Sequence, residues 1–336
     1  NGPCRFFAQY HLELEEPEAA EPDVRTWGTL KHAVLEELGQ RLGRGELDET
    51  DLAGCGEWAV QRMIELAGDP EQGFPRLLRQ RRLQAELRLQ TERLRAFVET
   101  DLRHRQDRTT QPVGFEVPFG IRLSSDAPPP AMYSEEPLEL YDRNTGVRLR
   151  IRGFIDLLEA TPAPDERGNH WAVVVDYKSG NVFDKARSLS KFLEAKRIES
   201  EGETVTRYQG NTEEKPLDFQ LPLYALAAER LFGYRVAAAF FYSIQKREKR
   251  GRYVRQQMRL LARDELQRYD EISDFNFRTL LDEAERAMLA LGRRIANGEI
   301  AINPKDCAFC AFRDLCRFNK DQEDVRLDLQ KSLPNR

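Results

Sequence analysis

The hydrophobic positions of the chain repeat with two periods, which divide it into helical and strand segments. Apolar residues at every third or fourth position predict helices over residues 27–42, 74–102, 217–232 and 277–297. Gly233 directly follows the third of these segments, as is typical of a helix C-terminus. No element is predicted for the glycine-containing stretch between the first two helices. The spacing therefore indicates a helical first third followed by a mixed region.

Short apolar runs predict strands over residues 115–121, 147–159, 171–177 and 236–244. Proline-rich segments separate the first three of these strands. We expect the second and third strands to form an antiparallel pair. The order strand, strand, strand, helix, strand indicates one α/β domain with a helical insertion, since 336 residues can fold around a single core.

The composition is that of a folded protein without a membrane span. Hydrophobic residues make up 40% and charged residues 32% of the chain, unlike the composition of a disordered protein. No apolar run approaches the roughly 20 residues that span a bilayer, and the longest candidate, Val236–Tyr242, suits a buried strand. The sequence starts without a secretion leader, and five cysteines fit reduced thiols or metal ligands. We expect a cytoplasmic protein with no membrane partner.

Basic residues are concentrated in two segments, although the formal net charge of the chain is -5. Residues 76–108 contain ten Arg against five acids, and residues 246–259 contain seven basic residues against Glu248 alone. Such local positive fields favour contacts with phosphates. The candidate contacts are Arg79, Arg82, Lys246, Arg247, Lys249 and Arg250. The alternative is a solvated helix face and a basic hairpin loop without a nucleic-acid role.

Two aspartates and a lysine lie in or beside apolar strands, where a charge needs a reason. Asp156 lies within the second strand, and Asp176 follows three valines at the end of the third. Since side chains alternate across a strand, Asp176 and Lys178 should share a face, and strand pairing can bring Asp156 beside them. Carboxylates that bind Mg²⁺ or Mn²⁺ beside a lysine support phosphodiester hydrolysis. The alternative is an ordinary ladder of ion pairs at strand ends.

Four of the five cysteines form a spaced set of soft ligands. Cys307, Cys310 and Cys316 lie within ten residues, and Cys4 lies at the opposite end of the chain. Four thiolates suggest Zn²⁺ or an iron–sulfur cluster. The asymmetric spacing differs from the paired Cys-x-x-Cys knuckles of a zinc ribbon, which disfavours a ribbon. Cys55 has no place in this pattern and is interpreted as a free thiol, with a ligand swap for Cys4 as a minor alternative.

Four short motifs resemble, in the same order, those of nuclease domains of the PD-(D/E)XK superfamily. They are Gly-x-x-x-His at Gly28–His32, Gly-x-x-Asp at Gly153–Asp156, Asp-Tyr-Lys-Ser at Asp176–Ser179 and Gln-x-x-x-Tyr at Gln220–Tyr224. Over nearly its whole length the chain resembles helicase–nuclease subunits of the RecB, AddA and AddB kind and CRISPR-associated iron–sulfur nucleases. The resemblance implies a restriction-endonuclease-like core, in which helices flank a mixed sheet, with a helical insertion and an iron–sulfur staple that joins the terminal segments.

The resemblance also implies a metal site with nitrogen and oxygen ligands. Asp156 and Asp176 would supply carboxylates, His32 would be a third ligand, and the backbone carbonyl of Tyr177 would complete the metal shell. Lys178 would act as the catalytic base or position the attacking water. The alternative for His32 is a hydrogen-bonded packing residue beside an apolar helix face.

Further site residues are implied on a helix and on the first strand. Gln220 and Tyr224 share a helical face because four residues separate them, and in the family this pair orients the lysine and touches DNA. Pro222 departs from the motif and requires the first turn of the helix or a kink. Gln220 and Tyr224 could instead border the core. Glu116 could add a carboxylate, although an exposed edge charge is the favoured interpretation.

The cysteine pattern resembles that of family members with a [4Fe–4S] cluster, which implies that Cys4, Cys307, Cys310 and Cys316 hold one. A cross-link between the two ends of the chain would restrict the unfolded state and close the domain. The expected organisation is therefore a single nuclease domain over residues 1–336. Its parts would be a first cluster-ligand segment over 1–26, a helical region over 27–110, a nuclease core over 111–300 and a cysteine-rich tail over 301–336.

The resulting hypothesis is a DNA nuclease, expected to be an exonuclease in recombination or repair, that uses Mg²⁺ or Mn²⁺ on single strands or DNA ends. One alternative is an inactive nuclease-like DNA-binding module that supports a helicase partner. Another is a zinc-stapled RNA-processing factor. Because the first cysteine is residue 4, we expect a domain of a longer polypeptide with a helicase region or partner. A stand-alone exonuclease is equally compatible with the sequence.

Overall fold

The computed structural model describes residues 24–70, 80–123, 130–194 and 218–298. By their contacts, the described residues up to 290 belong to one unit, and residues 291–298 belong to a second. Among the described residues, no helix combines the length and the apolar character needed to cross a membrane. The candidate site and the apolar clusters that support it all lie in the first unit.

Three helices form one outer layer: α1 (Val24–Gly43), α2 (Leu52–Gly68) and α3 (Arg81–Arg105). The helical spacing predicts α1 and α3, whereas α2 occupies the stretch for which no element is predicted. Asp51 caps α2, because its side chain accepts a hydrogen bond from the Gly54 N–H at 2.9 Å. A Cβ at Gly56 would lie 3.0 Å from side-chain atoms of Arg95 and Glu99. The glycine that obscures α2 in the sequence therefore lets α3 pack closely.

A six-stranded mixed sheet forms the middle layer, and two strands form a separate hairpin. The strands are β1 (Gln111–Phe119), β2 (Leu138–Tyr141), β3 (Arg148–Ile151), β4 (Gly153–Ala160), β5 (Trp171–Lys178), β6 (Arg235–Ser243), β7 (Glu248–Val254) and β8 (Glu271–Ile272). The order in the large sheet is β1-β4-β5-β6-β7-β8. The pairs β5–β6 and β7–β8 are parallel, and the other pairs are antiparallel. The predicted antiparallel pairing of β4 with β5 is confirmed.

The single strand predicted over residues 147–159 is wrong, because the chain forms β3 and β4 in two different sheets there. β3 pairs with β2, whereas β4 pairs with β1 and β5. Where the chain passes from β3 to β4, a Cβ at Gly120 would lie 2.9 Å from Cβ of Arg152, and a Cβ at Gly153 would lie 3.1 Å from the Phe119 ring. Gly120 also has a φ of +70°, which glycine adopts readily. These two glycines allow the close chain crossing that a continuous strand would not make.

Four helices accompany the second half of the sheet: α4 (Phe183–Ser188), α5 (Lys191–Glu194), α6 (Gln220–Phe232) and α7 (Asp274–Ala296). Pro222 is the third residue of α6 and so lies in its first turn, where a missing N–H costs no helical hydrogen bond. α6 ends at Gly233 with a φ of +74°, as the sequence predicts. Pro222 and Gly233 therefore mark the two ends of α6, and its interior contains neither proline nor glycine.

Two apolar clusters lie on opposite faces of the sheet. One packs α1, α2 and α3 against strand residues such as Val173, Val175 and Phe240. The other packs α6 and α7 against strand residues such as Val174 and Phe241. Neighbouring residues of β5 and β6 therefore enter different clusters, as the alternation of side chains in a strand requires. The three layers confirm the expected mixed sheet flanked by helices.

A buried ionic cluster, here called the Arg108 cluster, lies beside the first of these apolar clusters. The fully buried Arg108 side chain lies 3.0 Å from Asp101 and 2.7 Å from Glu159, and it contacts Glu265. Lys249 Nζ lies 2.8 Å from the same Glu265 carboxylate. Burial acts to raise the pKa of Glu265, but Lys249 and Arg108 outweigh it and lower the pKa far below its usual range. The cluster therefore holds its charges as pairs and links α3, β4 and β7 with the segment before β8.

Candidate active site

Asp156 lies where the main-chain pairing of β4 with β5 stops. That pairing joins Leu157–Ala160 to Ala172–Val175, so it ends one residue short of Asp156 and of Asp176. The Tyr177 N–H donates instead to Asp156 Oδ2, at 2.7 Å. The two strands diverge at the carboxylates, and the Asp156 side chain accepts from a buried main-chain group that needs a partner.

His32 reaches the same point from α1. Its Nε2 lies 3.1 Å from the carbonyl oxygen of Tyr177, and its Nδ1 lies 3.5 Å from Asp156 Oδ2. The Tyr177 ring is buried and packs edge-on against the His32 ring, with centroids 6.0 Å apart. One helical turn earlier, a Cβ at Gly28 would lie 3.5 Å from Ser179 Oγ. α1 therefore packs against the end of β5 and holds the imidazole beside a carboxylate and a backbone carbonyl.

Glu116 belongs to this site, and its interpretation as an exposed edge charge is wrong. Its side chain is only 25% exposed, and its Oε1 lies 3.2 Å from His32 Nδ1. The register of β1 with β4 places Glu116 opposite Asp156. Glu116 also has a φ of +43°, which is uncommon for any residue other than glycine. Such local strain tends to occur at functional sites, and no feature of the sequence reveals it.

Asp176 and Lys178 share one face of β5, as alternation along a strand requires. The ammonium group of Lys178 contacts Asp176 Oδ2. It also lies 5.7 Å from the centre of the Phe241 ring. The Asp176 side chain is 1% exposed and the Lys178 side chain 22% exposed. Lys178 therefore connects a buried carboxylate with solvent.

Gln220 and Tyr224 approach the carboxylates from the first two turns of α6. Burial of the Tyr224 side chain raises its pKa, and the nearby charges of Asp176 and Asp156 raise it further, while a hydrogen bond with Gln220 acts in the opposite direction. The ring packs edge-on against Phe119, with centroids 6.5 Å apart. The Tyr224 hydroxyl therefore keeps its proton and is available as a donor close to two acids.

The electrostatics of the site favour a positive ion. Burial and repulsion from Asp176 raise the pKa of Asp156 to about 7, although His32 and Lys178 act to lower it. Burial also raises the pKa of Asp176, against the opposite effect of Lys178. Burial lowers the pKa of His32, but the hydrogen bond with Glu116 and the charge of Asp156 outweigh it and raise the pKa. Where clustered carboxyl groups retain protons, a metal cation can take the place of those protons.

The family comparison agrees with this arrangement. The sequence model of the PD-(D/E)XK nuclease superfamily matches residues 1–317. The chain belongs to this superfamily. The match extends across the helical first third, the sheet and the site residues, so it applies to the whole arrangement described above.

Two helicase–nuclease proteins are similar to parts of this PD-(D/E)XK chain. An ATP-dependent helicase/deoxyribonuclease subunit from Bacillus pumilus (strain SAFR-032) is 41% identical over 59 residues, which is 16% of this chain and 5% of that protein. The protein of the same name from Oenococcus oeni (strain ATCC BAA-331 / PSU-1) is 27% identical over 194 residues, which is 55% of this chain and 15% of that protein. The aligned regions therefore span only a small part of these relatives.

The donor atoms of the PD-(D/E)XK site fit a hard divalent cation. One atom each of His32, Glu116 and Asp156 lies within 4.8 Å of the others. Two carboxylates and a nearby carbonyl favour Mg²⁺ or Mn²⁺ over a metal that prefers sulfur. Asp176 lies outside this group, and its carboxylate contacts Lys178. His32 and Asp156, two of the predicted ligand side chains, thus lie close together, and Glu116 lies beside them.

Binding of a divalent cation at this candidate site should depend on pH because the candidate ligands carry protons. The pKa of Asp156 is raised to about 7, so below that value a cation must displace a proton from Asp156, and from His32 as well. We expect the apparent Mn²⁺ affinity to rise about tenfold or more per pH unit between pH 5.5 and 7 and then to level off. Calorimetry in buffers of different ionisation enthalpy would count the released protons. An affinity independent of pH in the wild type would contradict this explanation.

The exposed members of the predicted DNA-contact set lie at two places on the PD-(D/E)XK chain. Arg82 is exposed in the first turn of α3, and Lys246 and Arg247 are exposed in the turn between β6 and β7. Arg79 lies outside the described residues. The accessible guanidinium and ammonium groups leave a nucleic-acid role for these positions as a prediction.

Lys249 belongs to the predicted DNA-contact set but is buried. Its side chain is buried, with Nζ 2.8 Å from Glu265 and 4.9 Å from the centre of the Tyr242 ring. Its charge is therefore paired within the Arg108 cluster, so the prediction of Lys249 as a DNA contact is wrong. Arg250 points to the other side of β7, where it is partly buried and pairs with Glu248 at 3.0 Å. Lys249 and Arg250 lie in a β-strand and not in a loop. Their side chains therefore alternate between the two faces of the strand, which decides which charge reaches the surface.

One of the five cysteines, Cys55, lies among the described residues. The four predicted cluster ligands, Cys4, Cys307, Cys310 and Cys316, lie outside the described residues. Cys55 is a free, buried thiol in α2, whose Sγ donates to the carbonyl of Asp48 at 3.3 Å. Burial raises the pKa of this thiol. Cys55 is therefore a packing residue in α2, as its interpretation as a free thiol requires.

Proposed function

We propose that this chain is a divalent-metal-dependent deoxyribonuclease that hydrolyses phosphodiester bonds in single strands or at DNA ends, as an exonuclease in recombination or repair. The observation that carries this proposal is the meeting of His32, Glu116 and Asp156 beside the Asp176–Lys178 pair at diverging strand ends. Membership of a nuclease superfamily supports the same reaction class.

The side chains would divide the work between metal binding and positioning. His32, Glu116, Asp156 and the Tyr177 carbonyl would hold Mg²⁺ or Mn²⁺, with Asp176 adding negative charge next to them. When bound, such an ion polarises a phosphoryl oxygen and acidifies a ligated water. The contacts of His32 with Glu116 and Asp156 bring three of these groups together before substrate arrives, which lowers the cost of ordering the site.

The remaining side chains of the site, Lys178, Gln220 and Tyr224, would position water and substrate. The contact with Asp176 anchors Lys178 so that its ammonium group can orient the attacking water or stabilise negative charge on the phosphate. Tyr224 retains its proton and can donate to a phosphate oxygen, and Gln220 holds Tyr224 in that role. We propose that these three side chains define where the scissile phosphate lies.

A helicase is the partner that the relatives suggest. Both similar proteins are named as helicase/deoxyribonuclease subunits, and the alignments reach only 5% and 15% of their lengths. We propose that this nuclease domain acts with a helicase region or a separate helicase chain, because unwinding would supply the single strands or ends that it cuts.

The direct test is cleavage of end-labelled single-stranded and double-stranded DNA with purified protein. Cleavage should require Mg²⁺ or Mn²⁺, stop on addition of a chelator and be faster on the single strand. Binding of DNA without cleavage under any divalent-metal condition would instead favour an inactive DNA-binding module.

We also propose that Cys4, Cys307, Cys310 and Cys316 hold a [4Fe–4S] cluster with a structural role. The donor set of four thiolates, of which one is remote in sequence, suits such a cluster better than a zinc ribbon. Anaerobically purified protein should be brown and contain about four iron atoms per chain. Cys316→Ser should lose the iron, whereas Cys55→Ser should retain it. A colourless protein that contains zinc would contradict the cluster.

A further inference from the structure

Every second residue over 148–154 is exposed on β3 and the start of β4: Arg148, Arg150, Arg152 and Phe154. The residues between them turn the other way, since Leu149 and Ile151 pack against the apolar cluster of α6 and α7. The sequence therefore builds a stripe of three guanidinium groups and an aromatic ring on one face of the chain. We call this stripe the arginine track.

The arginine track leads to the candidate site. Ile155 is buried in the same cluster as Leu149 and Ile151, so the exposed side chains face away from α6 and α7. Asp156 is the next alternate position after Phe154, and it contacts His32 of α1. Alternate residues of a strand are about 6.6 Å apart, so Arg148 lies at most about 26 Å along the chain from Asp156. The track thus ends at Phe154, two residues before Asp156.

The charges of the arginine track are available to a ligand. Arg148 lies over the Tyr141 ring, with its guanidinium carbon 5.5 Å from the ring centre. Arg150 pairs with Glu139 at 3.3 Å, but both side chains are about half exposed or more, and such pairs are weak in water. Within the described part of the chain, Arg152 has no carboxylate in ion-pair distance. Three cations can therefore be transferred to phosphates at little cost.

We propose that the arginine track guides a single strand of DNA into the candidate site. Arg148 and Arg150 of β3 would contact successive phosphates, since alternate residues of a strand are about 6.6 Å apart, close to the reach of one extended nucleotide. Arg152 would contact a further phosphate towards the site. Phe154 is 45% exposed beside Asp156, and it would stack on an unpaired base next to the scissile phosphate. This proposal rests on the proposed nuclease function and specifies the path of its substrate.

The aromatic residue selects a single strand over a duplex. An aromatic side chain can stack on a base only where that base is unpaired and accessible, whereas a duplex presents its phosphates and keeps its bases stacked inside. A purely electrostatic surface would not need Phe154. The combination of regularly spaced arginines and an exposed ring at the end nearest the acids therefore fits an unpaired strand that enters the site.

The test is binding of fluorescently labelled oligodeoxythymidylate, measured by anisotropy with a chelator present, in the Asp176→Asn background. The triple variant Arg148→Gln, Arg150→Gln, Arg152→Gln should bind at least about tenfold more weakly, and its salt dependence should fall by about two in log–log slope. Phe154→Ala should lose about tenfold in affinity for the single strand and clearly less for a blunt duplex.

A matched triple variant controls for the loss of charge. Arg263→Gln, Arg268→Gln, Arg286→Gln removes three exposed arginines from the segment before β8 and from α7, and it should bind as the parent does. The arginine track would be wrong if its triple variant bound the single strand as the parent does, or if both triple variants lost affinity equally. Absence of binding by the parent would also overturn it.

The outcome for the track is separable from that for the nuclease function. If the unsubstituted protein cleaves DNA but the track variant binds normally, the function stands and the path is wrong. If the track variant loses binding but the unsubstituted protein never cleaves with Mg²⁺ or Mn²⁺, the path stands and the function fails.

Discussion

Lys178→Ala and Asp176→Asn should each lower the rate of single-stranded DNA cleavage by about 10²–10⁴-fold under saturating Mn²⁺. Lys178 Nζ contacts Asp176 Oδ2, so either substitution removes one half of a pair that adjoins the acids of the candidate metal site. Because the two groups act as a unit, the double variant should be little worse than the worse single variant. Single-turnover measurements on an end-labelled oligonucleotide would give these rates.

The controls for this prediction separate chemistry from folding. Asp264→Asn makes the same chemical change at an exposed position before β8, and it should retain the parent rate. Thermal unfolding should show both site variants folded, and the removal of a buried charge at Asp176 should not lower stability at neutral pH, since burial raises the pKa of that carboxyl. Parent-like cleavage by Lys178→Ala and Asp176→Asn would contradict the assigned roles.

Arg108→Ala should destabilise the fold by about 3–5 kcal/mol, the usual cost of breaking a buried ion pair. Arg108 is the shared partner of Asp101, Glu159 and Glu265, and its side chain has no exposed surface. Its loss would leave Asp101 paired with Arg105, Glu265 with Lys249 and His104, and Glu159 with the Thr110 hydroxyl in place of a cation. Urea unfolding followed by far-ultraviolet circular dichroism would measure the change in the free energy of unfolding.

The comparison for this prediction is an arginine with an exposed partner. Arg255 pairs with Glu271, and its side chain is 74% exposed. Arg255→Ala should therefore cost less than about 1 kcal/mol. Equal effects of the two substitutions would show that the Arg108 cluster is not a main support of the fold.

The parts of the fold with a strong local signal could be predicted from the sequence. The valine run before Asp176 predicts β5, and alternation along that strand correctly puts Asp176 and Lys178 on one face. The four-residue spacing and Pro222 correctly place Gln220 and Tyr224 in the first turns of α6. Each of these features depends on neighbours in the chain, which is the information that a sequence contains most directly.

Features that depend on contacts between distant segments could not be predicted. The helix α2 contains Gly54 and Gly56, which lower helix propensity, and it is stabilised by packing against α3. Glu116 joins the site only because β1 pairs with β4 in one register. Lys249 is buried because Glu265, a distant residue, supplies its counter-charge. In each case tertiary contacts override the local pattern.

We expect His32, Asp156 and the Tyr177 carbonyl to bind one divalent cation. Anomalous diffraction from crystals soaked in Mn²⁺ would locate this ion, with His32→Ala and Asp156→Asn crystals as controls. We predict one strong peak bordered by these three groups and by Glu116, and its loss in both variants. A peak only elsewhere in the protein, or a peak that survives both substitutions, would contradict the claim.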